Sequence, residues 1–258
     1  MEHKVVSTQE SVIKVSQLVK RFGTFVANDH LNFEVQRGEI FGFLGANGAG
    51  KTTAMRILCG LSAPTEGVVE VAGYNVATQA EMVKRRIGYM SQKFSLFEDL
   101  TIWENMRFFS AIYGMPIGNF RQRGVDLLEK LNLYGERNRL VGTLSLGWKQ
   151  KLAFSVAILH QPSIVFLDEP TSGVDPITRR QFWEMIYEAA SRGITVFVTT
   201  HYMDEAEYCN RVTIMVDGRI KALDTPGELK KQFGAASMNE VFLALTRNGE
   251  QLSMNSKH

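Results

Sequence analysis

The sequence predicts an α/β fold with an antiparallel β subdomain at its N-terminal end and a helical subdomain inserted into the core. Three observations predict it. Residues 40–44, 164–167 and 194–199 are near-continuous apolar runs, as buried central strands are. The first run enters a glycine-rich loop followed by a helical pattern, and the second ends in a pair of acids. From about 100 to 160 the pattern is mostly helical, with few strand signals.

Taken in order, residues 13–18 and 31–35 alternate apolar and polar side chains, as half-buried strands do. After the strand at 40–44, residues 52–59 read as a helix closed by Gly60. Residues 62–67 form a turn, and 68–71 and 87–90 are short strands. Thr101 followed by Glu104 is a capping box that opens an aromatic-rich helix through Tyr113. Residues 126–133 read as another helix. Beyond the insertion come a strand at 164–167, a helix at 176–190 and a strand at 194–199. Asp217-Gly218 turns a hairpin between 212–216 and 219–223. Ser237 with Glu240 caps a last short helix at 241–245, and 249–258 read as frayed. The expected organisation is one domain over 12–235, with the helical subdomain at about 93–160, then a short helix and tail over 236–258.

Bulk properties narrow the function classes. The 258 residues suit one large α/β domain, or one domain with an embedded subdomain. Apolar residues make up 45% and charged residues 22%, enough for a sizeable core and unlike a disordered chain. A net charge of +2 is too near balance for a general nucleic-acid or polybasic membrane surface, so no direct nucleic-acid partner is expected. Cys59 and Cys209 lie far apart in no metal-binding spacing and read as buried thiols in a reducing compartment. No run approaches the ~18 apolar residues of a membrane span, and residues 1–14 carry no secretory apolar stretch. The expectation is a cytoplasmic chain whose membrane role needs a separate partner.

The sharpest motif is Gly45-Ala46-Asn47-Gly48-Ala49-Gly50-Lys51-Thr52, the pattern of a P-loop NTPase core. Glycines 45, 48 and 50 let the backbone fold round a phosphate chain, so that its N–H groups, those of Asn47 and Ala49 included, line the cradle. The helix that follows adds partial positive charge at its start. Lys51 reaches the β and γ phosphates, Thr52 places its hydroxyl on Mg²⁺, and Thr53 donates to the α phosphate. Chance would produce the pattern in on the order of one per cent of chains this long, and here it also sits between a strand and a helix, which is the confirming context.

The strand at 164–167 ends in Asp168-Glu169-Pro170. The carboxyl edge of a sheet is where α/β proteins bind ligands. Asp168 is suited to hold Mg²⁺ and Glu169 to polarise an attacking water. Adjacent acids on a strand point to opposite sides, which gives them different jobs.

The order of these motifs with Gln92, Leu144-Ser145-Leu146-Gly147-Trp148, Ser172-Gly173-Val174-Asp175 and His201 resembles the nucleotide-binding subunit of ABC transporters over residues 12–235. The resemblance implies ATP and Mg²⁺ as ligands. It also implies that Phe22 stacks on adenine and that Gln92 reaches the metal and the attacking water. His201 would contact the γ phosphate, and Asp175 would help connect two active sites across a dimer. Ser145 and Gly147 would face the γ phosphate bound by the other subunit. Ser145 is equally suited to cap the helix that follows, and the two roles are compatible. The signature departs from Leu-Ser-Gly-Gly-Gln at Leu146 and Trp148, which alters some nucleotide contacts.

The implied function is an ATP-hydrolysing subunit that powers a membrane transporter by dimer closure. Its partners would be a second ATP-binding domain, identical or a fused or paired half, and a separate integral membrane permease. The segments 199–207 and 239–246 look like those of exporter ATPases that move drugs, polysaccharides or lipids. The signature also resembles a subset in which two such domains share one chain. Two other readings stay open from sequence alone: a soluble ABC ATPase acting on ribosomes or DNA, and a non-hydrolysing nucleotide-binding regulator. Phe94, Phe97, Trp103, Phe108 and Phe109 are the candidate surface for the permease, against plain core packing.

Overall fold

The computed structural model describes residues 10–92 and 96–255, with side chains through residue 246. Strands β1 (Ser11–Phe22) and β2 (Phe25–Gln36) form a long antiparallel hairpin. The sequence pattern marked only their centres. Register shifts on both sides of Leu18, with Gln17 at φ 53°, break the alternation that periodicity relies on. Strand β4 (Glu66–Val71) pairs with the other edge of β1, and β5 (Tyr74–Asn75) with β4, giving the sheet order β2-β1-β4-β5.

The second sheet contains β3 (Ile40–Gly45), β6 (Ile87–Met90), β7 (Ile164–Asp168), β8 (Thr195–Thr200), β9 (Arg211–Val216) and β10 (Arg219–Asp224). Its order is β10-β9-β3-β8-β7-β6, with the β9–β10 hairpin the antiparallel pair and the rest parallel. Alternation divides its side chains between two cores. Phe41, Phe43, Phe166 and Phe197 meet Phe33 of β2 and helix α1 (Lys51–Leu58) on one face. Ring centroids from Phe33 to Phe41, Phe43 and Phe197 are 5.7, 5.4 and 6.2 Å. Ile40, Leu44, Val165, Leu167, Val196 and Val198 face the helices on the other. Each such side chain contributes about 1.5–3 kcal/mol on burial. The two faces clamp β3 and β7, and these are the strands whose ends carry the phosphate loop and the acids.

After helix α2 (Ala80–Lys84) and β6, the chain makes α3 (Ile102–Ile112), α4 (Ile117–Lys130) and α5 (Leu146–Ile158) before returning as β7. Helix α3 opens on the expected capping box. Helix α4 starts nine residues before the predicted 126. Gly118 and Gly124 weaken its local propensity, but Phe120, Gly124 and Leu128 make one buried stripe. A Cβ on Gly124 would sit 3.1 Å from the Trp103 ring, so the glycine eases the close approach of the two helices.

Helices α6 (Pro176–Ser191), α7 (Pro226–Phe233) and α8 (Met238–Asn255) follow. Sequence periodicity does not mark helix α7, although Thr225 caps it and Pro226 occupies its first turn. The last helix is much longer than 241–245, and the frayed end expected over 249–258 is corrected through Asn255, while 256–258 lie outside the described residues. Met238 and Val241 anchor its start in the core, which supplies the tertiary support that local pattern could not show. Residues 1–9, most of the segment read as signal-free, also lie outside the description. No helix is long and apolar enough to cross a membrane among the described residues. Both cysteines are buried and unpaired with each other.

His160, just past α5, stacks on Tyr113 at 3.8 Å and reaches the Ile87 carbonyl through Nε2 at 3.1 Å. Its Nδ1 is buried without a partner. Burial lowers its pKa from 6.5 to about 4. The folded state therefore prefers the neutral ring, so this contribution to stability is complete above pH 6.5 and is lost as pH falls toward 4. We expect the wild-type melting temperature to drop across that window by the equivalent of about 1–3 kcal/mol. His160→Phe should flatten that drop, and an equally steep drop in the variant would place the titration elsewhere.

Candidate nucleotide site

The phosphate loop sits between β3 and α1, where the motif placed it. Gly50 is the residue before α1 and holds φ 99°, a conformation open to glycine. A Cβ there would also lie 2.4 Å from the Ala27 carbonyl oxygen. The Asn28 side chain of β2 donates to the Gly50 carbonyl at 3.1 Å, so the antiparallel sheet braces the loop directly. Asn47 is exposed at the loop crest, and the Ala49 amide donates to Ala46 O at 3.2 Å. Thr52 and Thr53 occupy the first turn of α1, whose amides have no intrahelical acceptor.

Lys51 is 4% exposed and donates to the carbonyls of Gly45 at 2.8 Å and Ala46 at 3.1 Å. Its Nζ lies 3.6 Å from Glu169 Oε1. Burial pulls the ammonium below its usual range, while the charges of Glu169 and Asp168 pull it back up.

The two acids reach the loop by different means. Asp168 closes β7, and its Oδ1 accepts from the Thr199 hydroxyl at 2.7 Å and from Thr52 Oγ1 at 3.4 Å. Burial raises its pKa, the Thr199 bond opposes this, and the Glu169 charge raises it further. Glu169 lies one residue past the strand at φ 48°. Its separation from Asp168 thus comes from a left-handed turn and not, as expected, from strand alternation. Thr199 accepts the Glu169 amide through both its hydroxyl and its carbonyl, each at 3.1 Å. Sequence reading passed over Thr199 and Asn28. For Thr199 the available signal was a polar residue in a largely apolar strand, whereas Asn28, followed by Asp29 and His30, offers no such signal.

Gln92 Nε2 donates to Glu169 Oε2 at 2.9 Å. His201 Nδ1 lies 3.1 Å from the same oxygen, off the line of a hydrogen bond. Lys51, Asp168, Glu169, Gln92 and His201, drawn from four parts of the chain, therefore converge beside the phosphate loop. Phe22 is 55% exposed at the end of β1, with the Lys20 ammonium 5.1 Å from its ring centre. Phe25, facing it across the turn, is 63% exposed.

Ser145, Gly147 and Asp175 stand apart. Among the described residues no hydrogen bond or ion pair joins them to the Lys51–Glu169 cluster. Ser145 is exposed at the position before α5, and its hydroxyl makes no capping bond, contrary to the local role read from sequence. Gly147 packs on α6, since a Cβ there would lie 2.7 Å from Thr178. Asp175 caps α6, accepting from the amides of Ile177 and Thr178 and from the Thr178 hydroxyl at 2.6 Å. Those bonds, the Thr178 hydroxyl first, hold its carboxyl below the usual range. The altered fifth signature residue, Trp148, lies under the Lys151 ammonium at 4.9 Å. It lines a groove of about 930 Å³ between α4, α5 and α6, spanned by the Lys130–Glu188 ion pair.

A glycine loop between a parallel strand and a helix, with a lysine beside it and acids at the end of another strand of the same sheet, defines a P-loop nucleotide-binding protein. A model of the ABC transporter family matches residues 28–172. The chain is 47% identical over 223 residues to the probable multidrug ABC transporter ATP-binding protein YbhF of Escherichia coli, covering 86% of this chain. It spans 39% of that relative's length. It is 35% identical to the Nod factor export ATP-binding protein I of Paraburkholderia xenovorans, covering 90% of this chain and 77% of that one. A solved ATP-binding subunit of an ABC transporter superposes with a TM-score of 0.83 at 30% identity, covering 92% of this chain and all of the other. The chain belongs to the ABC transporter family.

Proposed function

We propose that this chain binds and hydrolyses ATP to drive an ABC-type exporter, as one half of a nucleotide sandwich. The observation that carries the reading is the convergence of Lys51, Asp168, Glu169, Gln92 and His201 on one phosphate loop. Phosphoryl transfer requires charge neutralisation and positioning more than covalent chemistry. Lys51 neutralises the β and γ phosphates. Glu169 orients the attacking water and takes its proton, and Gln92 and His201 fix where that carboxylate points. Thr52 and Asp168 offer a hydroxyl and a carboxylate facing each other, oxygen donors that suit Mg²⁺, which would neutralise phosphate charge there. The exposed face of Phe22 stacks on adenine, for which a π face is enough.

Ser145 and Gly147 of a second copy, or of a paired half, close the site from across the dimer. The uncapped Ser145 hydroxyl at the start of α5 supports this, being left for an external acceptor. The test is phosphate release from MgATP by the chain, by itself and with its co-expressed permease. Binding without release under both conditions would leave a nucleotide switch in place of a motor.

The residues at about 93–160 serve as the arm that carries force to a membrane permease, which holds the chain at the inner face of the cell membrane. Phe97 and Phe108 are each 42% exposed, meet at 4.9 Å and stand near Ile112, which is 61% exposed. Trp103 and Phe109 pack inward instead, and Phe94 lies outside the described residues. Export follows the two relatives whose names carry multidrug transport and Nod factor export. Phe97→Asp with Phe108→Asp should abolish co-purification with the permease while the chain still folds and binds MgATP, since both rings lie at the surface and away from the phosphate loop. Full recovery of the complex would move the docking surface elsewhere.

A further inference from the structure

Glu205 lies on the 3-10 helix Met203–Tyr208, four residues after His201, and no step above uses it. It is fully buried. A buried carboxyl group is strongly disfavoured unless its surroundings anchor it. Its Oε1 accepts from the Thr171 hydroxyl at 2.5 Å, and Arg179 Nε lies 3.6 Å away. Its Oε2 has no partner, and Arg179 Nε makes no hydrogen bond. This is a partly satisfied polar cluster inside the core, which stability alone does not favour.

The contacts around it form a closed circuit through the hydrolytic residues. Thr171 is 1% exposed and sits two residues after Glu169. The Ser172 amide donates to the Glu169 carbonyl at 3.2 Å. From Glu205 the circuit runs to Arg179, whose guanidinium lies 4.4 Å over the Tyr202 ring. The Tyr202 ring is 4.2 Å from that of His201, and His201 returns to the Glu169 carboxylate at 3.1 Å. Helix α5 holds the same turn through Gln150 Nε2, 3.4 Å from the Ser172 carbonyl. Glu169 itself sits in a left-handed conformation that a non-glycine residue keeps only when its neighbours impose it.

We propose that Glu205 is a positioning residue for ATP hydrolysis: through Thr171 and Arg179 it holds the turn bearing Glu169 and the segment bearing His201 at one spacing. The proposal rests on the reading of Glu169 and His201 as hydrolytic residues. Glu205 touches neither nucleotide nor water. It acts by setting where the Glu169 carboxylate lies relative to His201.

The test uses the full chain. Thr171→Val removes the donor while keeping the branched shape, and Thr171→Ser keeps the donor. Thr171→Val should lower kcat for MgATP about tenfold or more with KM within about threefold of wild type, the signature of lost positioning. Thr171→Ser should restore kcat to within about threefold. Glu205→Gln keeps an acceptor for Thr171 but loses the attraction to Arg179, so its kcat should fall between the two. The ring ¹⁵N signals of His201, one of five histidines, should shift in Thr171→Val and return in Thr171→Ser. Wild-type kcat with unshifted His201 signals in Thr171→Val overturns the proposal. So does a parallel loss of kcat, KM and folded fraction that Thr171→Ser fails to repair. Absence of turnover in the wild type, both by itself and with the co-expressed permease, overturns the hydrolytic reading itself, and the proposal with it.

Discussion

Glu169→Gln is expected to bind MgATP as tightly as the wild type or more so, and to lose about 10²–10⁴-fold in turnover. In the proposed mechanism this carboxylate accepts a proton from water, and it meets Lys51, Gln92 and His201 at 3.6, 2.9 and 3.1 Å. Glutamine keeps the shape and an acceptor for Gln92, but cannot take the proton. It also removes a negative charge from beside the γ phosphate. ATP-bound chains should then accumulate as closed pairs. Light scattering should report a mass near 29.0 kDa without nucleotide and about twice that with ATP. A monomer that demonstrably holds ATP would mean that closure needs a different half or the permease. Wild-type turnover in the variant would move the base role to another residue.

Lys51→Ala is expected to weaken MgATP binding about 10–100-fold, from the loss of a charge-assisted contact, and to reduce turnover below detection. The ammonium is buried inside the loop, so no exposed lysine replaces it. Its removal also leaves the charges of Asp168 and Glu169 beside the loop without the cation that offsets them. Calorimetric titration with MgATP checks the first effect and phosphate release the second. Unchanged affinity with unchanged turnover would contradict the assignment of the loop.

How far the sequence carries the reading depends on whether a feature is local. The phosphate loop, the capping box at Thr101 and the hairpin turn at Asp217-Gly218 are set by residues within a few positions of one another. Each occurs where the motif placed it. Only the second half of helix α4 is legible locally, because the place of Gly124 in it depends on Trp103 of another helix. Helix α8 runs Met238–Asn255 where local pattern marks 241–245, and Met238 and Val241 pack its start into the core. Local capping was assigned to Ser145, yet its hydroxyl makes no such bond.

By itself the sequence determined the α/β class, the nucleotide loop and the family, because these rest on short-range spacing that few folds can satisfy. Tertiary structure alone decided how Glu169 is aimed, which required a left-handed turn stabilised by Thr199. It also decided that Asn28 braces the loop, and that Glu205 lies buried against Thr171. These contacts join residues 22 to 34 positions apart. No local periodicity encodes such contacts, since they form only when the two sheets and their helices close on a shared core.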